Sequence, residues 1–205
     1  MLGVAVFVSG RGSNFVSLLG SIEKKEISAV IKCLITDNSS CAAVDVAVQR
    51  GIPVYFLSRT EREGYYTYDQ LNALLSDLGI GLIVLAGFLK KIPDEVVDSF
   101  SDRIINIHPA LLPSFGGCGM YGMNVHRAVY NSTAKVSGAT VHFVDKIYDN
   151  GKIIAQSVVD ISDVKSPEEI AGRVLLAEHK LLPYVVKKYS EDKIVIRDGR
   201  VIILE

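Results

Sequence analysis

Short apolar runs rich in Val, Ile and Leu alternate along the first half of the chain with segments whose apolar residues recur at helical spacing. Such runs predict buried strands, which cover residues 2–8, 29–36, 54–57, 80–86 and 103–107. The helical spacing predicts helices at residues 15–24, 42–50, 68–78 and 93–100. This order predicts an α/β fold, with a mostly parallel twisted sheet and helices on both faces.

The alternation stops at residues 109–122, where two prolines and four glycines predict a loop. After it the pattern predicts a short helix at 124–130 and strands at 138–145 and 153–161. Ser166, followed by Pro167 and by Glu169, predicts the capped start of a long helix. Asp198-Gly199 between two apolar runs predicts a terminal hairpin. Earlier in the chain, residues 37–40 (DNSS) predict a turn and an N-cap, and Gly51 predicts a helix end.

Composition narrows the class of protein. The chain has 205 residues, 22 Lys and Arg against 23 Asp and Glu, and a formal charge of −1. That balance argues against a nucleic-acid or membrane surface. Three cysteines without a CxxC pair support neither a disulfide framework nor a metal site, so we expect no metal and a cytoplasmic protein. There is no apolar run of membrane-spanning length and no signal peptide, and we expect the mature chain to begin near Met1.

A glycine-rich segment, residues 9–14 (SGRGSN), lies directly between the first strand and the first helix. Backbone N–H groups of Gly12, Ser13 and Asn14 at a helix N-terminus can bind a phosphate. The segment can equally be a tight, capped turn. A dinucleotide site would need glycine where Phe15 stands, although Asp37 lies roughly where a ribose-binding acid could lie.

Asn106 and His108 end a predicted strand, and the two-residue period of a strand places them on the same side. An amide can donate to a developing oxyanion, and an imidazole can move protons near neutral pH. Asp149 lies on a later turn, and it matters only if folding brings it against His108, whose pKa it would then raise. His142 alternates along its own strand, and a structural core role is the simpler interpretation.

Four segments carry a family resemblance when they are taken in order. They are residues 9–14 (SGRGSN), 84–88 (VLAGF), 106–113 (NIHPALLP) and 139–144 (ATVHFV), the last followed by Asp149. Together they resemble the phosphoribosylglycinamide formyltransferases, which transfer a formyl group from 10-formyltetrahydrofolate to a nucleotide amine. The resemblance runs over nearly the whole chain and implies a Rossmann-like formyltransferase fold, with no metal and no covalent enzyme intermediate.

By that resemblance, His108 is the general acid/base, Asn106 binds the formyl oxygen, and Asp149 holds His108 and raises its pKa. The implied nucleotide-binding residues are Gly12, Ser13, Asn14 and Glu178. The implied folate-binding residues are Leu85, Leu89, Lys90, Lys91, Ile92 and Val144. We expect one domain over residues 1–205, with a phosphate-binding half (1–100) and a catalytic and folate-binding half (101–205). Its partners would be small molecules, and it would be a monomer or homodimer.

The sequence also departs from the family pattern. Lys90 and Lys91 stand where an Arg and an aliphatic residue are expected, and Lys does not reproduce the bidentate contact of Arg. Arg59 and Arg62 are both candidates for the family's phosphate-contacting arginine. The loop at 115–123 is expected to close over the site, with a cis bond before Pro113.

Several alternatives share parts of this pattern. A methionyl-tRNA formyltransferase would need a basic C-terminal RNA-binding domain. A formyltetrahydrofolate hydrolase would carry an N-terminal regulatory domain, whereas here the first strand begins at Leu2. A sugar-nucleotide formyltransferase fits the start of the chain poorly. A binding module without catalysis would have no reason to bring together an amide, an imidazole and an acid.

Overall fold

The computed structural model describes residues 1–205, which form two compact units, Met1–Ile105 and Asn106–Glu205. The strands are β1 (Leu2–Val8), β2 (Ala29–Thr36), β3 (Val54–Ser58), β4 (Tyr65–Thr67), β5 (Leu82–Leu85), β6 (Ile104–His108), β7 (Val136–Phe143), β8 (Ile153–Asp160), β9 (Ile194–Arg197) and β10 (Arg200–Ile203). The helices are α1 (Ser13–Glu23), α2 (Ala42–Gln49), α3 (Leu71–Asp77), α4 (Asp94–Ser99), α5 (Met123–Asn131) and α6 (Pro167–Ser190). No helix is both long and apolar enough to cross a membrane.

In the first unit five strands lie in the order β4-β3-β2-β1-β5, and every pair of neighbours is parallel. The predicted parallel arrangement is therefore confirmed here. Strand β1 is buried from its second residue to its last, which explains its continuous apolar sequence. Strand β4 was not predicted, because three residues are too few to show a period, and α3 begins at Leu71 rather than at residue 68.

Gly12 is the residue that lets α1 start immediately after β1. Its φ of +72° lies in the left-handed region, where a side chain is strained. A Cβ there would lie 2.6 Å from the Cβ of Ala43, so space also requires glycine. The chain turns at this point and enters α1 at Ser13, two residues before the predicted start.

The predicted N-cap of α2 is wrong, although the turn before it is confirmed. The cap residue is Cys41, which makes no side-chain capping bond. The amide oxygen of Asn38 instead accepts from the backbone N–H of Ser40, and its carbonyl oxygen accepts from the N–H of Cys41. The polar side chain is thus used within the turn, and this competes with capping the helix. Gly51 follows the last turn of α2 with φ +64°, as predicted.

In the second unit β6, β7 and β8 are neighbours in that order, and β7 pairs with β8 in antiparallel register. The cap of α6 is confirmed, because Ser166 Oγ accepts from Glu169 N–H at 3.3 Å. The Glu169 carboxylate accepts from Lys165 N–H, one residue before the cap. The β9–β10 hairpin is confirmed, with positive φ at both turn residues. The segment 109–122 is irregular, and the Leu112–Pro113 bond is cis, as predicted.

Candidate active site

His108 and Asp149 come together in the second unit. His108 is the last residue of β6, and Asp149 lies on the connection between β7 and β8 with φ +53°. His108 Nδ1 lies 3.6 Å from Asp149 Oδ2, and the two side chains are 3% and 12% exposed. The sequence places these residues 41 positions apart, so the ion pair exists only through the fold.

His142 joins the same cluster from β7, and this is the residue whose role sequence reasoning missed. Its Nε2 lies 3.1 Å from Asn106 Nδ2 and 3.6 Å from Asp149 Oδ1. Its Nδ1 lies 2.7 Å from the carbonyl oxygen of Phe143. The alternation of β7 correctly indicated a buried side chain with its polar atoms satisfied. It could not show that the ring bridges Asn106 and Asp149.

The hydrogen-bond partners define which ring nitrogens carry protons. A backbone carbonyl only accepts, so Nδ1–H of His142 donates to Phe143, and Nε2 of the same ring accepts from the Asn106 amide. For the same reason Nε2–H of His108 donates to the carbonyl of Phe115, at 2.8 Å. The Nδ1 of His108 therefore faces Asp149. One N–H of the Asn106 amide is engaged by His142, and the other remains for a further acceptor.

The loop after β6 closes over these side chains, as expected for residues 115–123. Phe115 has φ +57°, which is uncommon for a bulky residue, and its carbonyl reaches His108. Gly117 N–H donates to Asp149 Oδ2 at 2.9 Å. Between them Gly116 packs tightly, since a Cβ there would lie 2.5 Å from Leu112 Cδ2 and 3.1 Å from Asp149 Cβ. The loop thus fixes both members of the ion pair.

Burial outweighs charge in setting the protonation of His108. Burial lowers its pKa below the ordinary 6.5; Asp149 and the Phe115 carbonyl act in the opposite direction without reversing the shift. The expected upward influence of Asp149 on the pKa of His108 is present, but burial outweighs it and the net shift is downward. The local sequence did not reveal how completely residues of the 115–123 loop and the sheet cover the ring.

The carboxyl group of Asp149 stays ionised. Burial by itself would raise its pKa, but the contact with His142, the charge of His108 and the N–H of Gly117 together hold it below its usual value. A fixed negative charge therefore faces two imidazole rings. It can stabilise an imidazolium that forms on His108.

A third histidine lies near this cluster. His126 on α5 is buried, and its Nδ1 has no hydrogen-bond partner. Burial, and then the proximity of His108, lowers the pKa of His126 below its ordinary value. A group of side chains able to hold a metal ion is not present.

In the first unit, the glycine-rich segment leads into the N-terminus of α1. Gly12 O accepts from Val16 N–H, so the backbone N–H groups of Ser13 and Asn14 belong to the first turn of α1. First-turn N–H groups have no acceptor within their helix, and the helix dipole adds positive potential there. The side chain of Asn14 is buried. These features can bind a phosphate group.

The residues expected on the folate side differ in their surroundings. Leu85 and Ile92 are buried, whereas Leu89 is half exposed. The ammonium groups of the two lysines pair with carboxylates, Lys90 with Asp37 at 3.8 Å and Lys91 with Asp94 at 2.8 Å. Val144 follows β7 in the second unit and is partly exposed; Glu178 of α6, expected at the ribose, is buried.

The two candidate arginines, Arg59 and Arg62, lie in different surroundings. An open depression of about 320 Å³ is lined by Arg59, Tyr68, Lys91, Ile92, Pro93, Asp94 and Glu95. Arg59 therefore borders the same space as two of the expected folate-side residues. Arg62 instead lies over the ring of Tyr65, with its guanidinium carbon 4.0 Å from the ring centre.

The sequence matches the formyl transferase family over residues 2–186, and the chain belongs to that family. It is 42% identical to the chloroplastic phosphoribosylglycinamide formyltransferase of Arabidopsis thaliana, over 98% of this chain and 70% of that protein. It is 31% identical to the phosphoribosylglycinamide formyltransferase of Haemophilus influenzae, over 97% and 92% of the two chains.

Solved structures agree in fold. The crystal structure of phosphoribosylglycinamide formyltransferase from Anaplasma phagocytophilum is 34% identical, with a TM-score of 0.89 over 100% of this chain and 95% of that one. The expected Rossmann-like formyltransferase fold, with its mostly parallel sheet, is thereby confirmed. A formyltetrahydrofolate deformylase from Pseudomonas syringae pv. tomato has a TM-score of 0.87 at 23% identity, which shows the shared fold alone.

Proposed function

We propose that this protein transfers the formyl group of 10-formyltetrahydrofolate to the amine of 5′-phosphoribosylglycinamide, a step of purine biosynthesis. The observation that carries the proposal is the cluster that the buried His108 and His142 form with the partly buried Asn106 and Asp149, in a member of the formyl transferase family. Relatives that bear the name of this activity match nearly the whole chain.

The reaction requires an oxyanion donor and a proton carrier. The substrate amine attacks the formyl carbon, a new C–N bond forms, and the formyl oxygen becomes an oxyanion. Asn106 donates its free amide N–H to that oxygen, while His142 Nε2 holds the other N–H and so fixes the orientation of the amide. The bond between the formyl carbon and N10 of the folate then breaks.

His108 carries the proton from the attacking amine to the departing N10. Its lowered pKa leaves the ring neutral near pH 7, so that it can act as a base. When the ring becomes an imidazolium, Asp149 stabilises the charge from 3.6 Å. Nε2 is the atom that exchanges protons with substrate. Its bond to the Phe115 carbonyl opens during the reaction, and the neutral ring then carries its proton on Nδ1, facing Asp149, so that Nε2 can accept the amine proton.

The two substrates bind through the segments identified above. Backbone N–H groups of Gly12, Ser13 and Asn14 hold the nucleotide phosphate, and Glu178 contacts the ribose. The folate is held by Leu85, Leu89, Lys90, Lys91, Ile92 and Val144. Arg59 lines the depression that contains Lys91 and Ile92, which makes it the better of the two candidate arginines for an anionic part of a substrate.

The chemistry proposed uses amide, imidazole and carboxylate groups of the protein, with 10-formyltetrahydrofolate as co-substrate. Small molecules are its partners. Three free cysteines fit a reducing compartment, which supports the cytoplasm. Plant relatives are named as chloroplastic proteins, so a tagged copy imaged in its own cells tests the compartment directly.

A product assay tests the proposed function. The purified chain is mixed with 10-formyltetrahydrofolate, with and without 5′-phosphoribosylglycinamide, and both tetrahydrofolate and the formylated amide are measured. We expect equal amounts of the two products, and only when the nucleotide is present. Tetrahydrofolate and formate formed without the nucleotide would indicate a hydrolase instead. No turnover in either mixture would indicate a binding module.

A further inference from the structure

Asp37, the acid that a dinucleotide site would direct at a ribose, makes its contacts inside the protein. It follows β2 directly, and its side chain is 16% exposed. Oδ1 accepts from the hydroxyl of Ser9 at 2.6 Å, and Oδ2 lies 3.8 Å from the ammonium of Lys90. Both carboxylate oxygens are thus engaged by the protein. This arrangement does not support the dinucleotide interpretation, and it leaves Asp37 without a role in the proposed reaction.

Ser9 connects three loops of the first unit. Its N–H donates to Gly87 O at 3.0 Å, and its carbonyl accepts from Asn38 Nδ2 at 3.3 Å. Its hydroxyl oxygen accepts from Leu89 N–H at 3.0 Å. These partners follow β5 and β2, the two neighbours of β1. One serine therefore links the carboxyl ends of three adjacent parallel strands, where α/β sheets place their ligands.

Asp37 determines how that serine is oriented. A hydroxyl has one proton, and a short O–H···O⁻ bond is stronger than a neutral one, so the proton points at Asp37. A lone pair then faces Leu89 N–H. The pair with Lys90 is longer, and the lysine is half exposed, so it contributes less than the bond to Ser9. The main chain of the folate-side segment is held mainly through Ser9.

We propose that Asp37 is a positioning residue for substrate binding: through the Ser9 hydroxyl it fixes the folate-side segment, residues 89–92, against the start of the glycine-rich loop. This inference rests on the proposed function, because it assigns the segment to folate. Asp37 does not touch the reacting atoms. Its removal should therefore weaken binding of 10-formyltetrahydrofolate and leave the chemical step nearly intact.

Steady-state kinetics of two Asp37 variants test this role. Asp37→Ala leaves the Ser9 hydroxyl free to rotate, and we expect the KM for 10-formyltetrahydrofolate to rise about tenfold, the effect of a charge-assisted hydrogen bond worth about 1.4 kcal/mol. The kcat should change less than about threefold. Asp37→Asn keeps an oxygen that accepts from Ser9 but removes the charge that faces Lys90, so its KM should stay within about threefold of wild type.

Ser9→Ala should reproduce Asp37→Ala, and the double variant should be no worse than either single one, because both act through one contact. Glu23→Gln, which removes the same charge from an exposed ion pair with Arg50 in the same unit, is the matched control and should leave KM unchanged. An unchanged folate KM in Asp37→Ala would overturn the inference. So would an equal rise in Asp37→Asn, or a loss confined to kcat.

Amide hydrogen exchange at Leu89, measured by NMR without substrates, separates this inference from the proposed function. Exchange of the Leu89 N–H should accelerate about tenfold in Asp37→Ala and in Ser9→Ala, and stay near wild type in Asp37→Asn. If the wild-type chain transfers no formyl group but Leu89 behaves in this way, the proposed function fails while the positioning contact stands. If the Leu89 N–H exchanges at the same rate in all variants, the hydrogen bond from Leu89 N–H to Ser9 Oγ does not hold this segment, and the inference fails.

Discussion

The imidazole of His108 and the carboxylate of Asp149 face each other at 3.6 Å, both largely buried. Burial lowers the pKa of His108, and Asp149 partly opposes that shift. Burial therefore keeps His108 neutral as a base, and Asp149 stabilises the ring once it is charged. Without Asp149 the pKa of His108 would fall further, and the imidazolium would lose the charge that stabilises it.

Asp149→Asn should accordingly move the acid limb of the kcat/KM profile to lower pH. Catalysis by a base falls as pH drops through the pKa of that base, and loss of the nearby negative charge lowers the pKa of His108 further. The plateau should fall about 100-fold, since the imidazolium loses its partner. Asp145→Asn, a charge loss on the same β7–β8 connection, is the control and should leave the limb in place. If the acid limb stays at its wild-type pH in Asp149→Asn, then Asp149 does not influence the pKa of the catalytic base.

Asn106→Ala tests the oxyanion donor. Loss of one such donor lowers kcat about 10²- to 10³-fold, and the KM of both substrates should change less than threefold, because the contact strengthens only as charge develops on the formyl oxygen. Saturation kinetics with each substrate varied in turn measure both constants. Asn131→Ala, at the exposed end of α5, is the control. A rise in KM without a fall in kcat would assign Asn106 to binding.

The sequence was informative about His108 and Asn106, because the two-residue period of β6 places both on one side at a strand end. It was uninformative about His142, whose importance lies in contacts with residues 36 positions before it and 7 after it. The sequence also could not predict that the pKa of His108 is lowered overall. That lowering depends on coverage by the loop that contains Phe115, a property of tertiary structure.

The same contrast applies to the fold. Long apolar runs such as β1 predicted their strands well, since burial on both faces leaves a continuous pattern. Strand β4 was too short to show a period, and Asn38 used its polar side chain in a turn rather than as a cap. Lys90 departs from the family pattern, and only the structure reveals its carboxylate partner, Asp37.

Gly12→Ala tests the proposed phosphate loop. The φ of +72° costs a side chain about 1–2 kcal/mol, and its Cβ would contact Ala43 at 2.6 Å, so the loop must shift. We expect the KM for 5′-phosphoribosylglycinamide to rise about tenfold or more. Gly10→Ala is the matched control in the same loop, because a Cβ there meets nothing within 4 Å. Equal nucleotide KM values in the two variants would exclude Gly12 from the binding site.

Protein stability should fall on acidification because of the buried histidines. The pKa values of His108 and His126 are lowered in the folded chain, so the unfolded chain binds more protons as pH falls through about 6.5, and folding free energy is lost there. The ionised Asp149 adds a further loss only at lower pH, as pH drops through its depressed pKa. Chemical unfolding between about pH 7.5 and about pH 5.5 isolates the histidine effect.

His126→Gln should make that pH dependence shallower, since one group that must protonate on unfolding is removed. Arg127→Gln, at its exposed neighbour on α5, leaves every histidine in place and should retain the wild-type slope. The slope is the quantity compared, so a uniform loss of stability in either variant does not affect the result. A wild-type slope in His126→Gln would show that His126 does not titrate on unfolding in this range.

The turnover number of His108→Ala, measured with both substrates saturating and against the Asn131→Ala control, tests the central claim most directly. The account predicts a fall of about 100-fold or more, the contribution of a lost general acid/base, with the nucleotide KM unchanged. A turnover within about threefold of wild type would contradict it, because the proton would then travel by a route that does not include the His108–Asp149 pair.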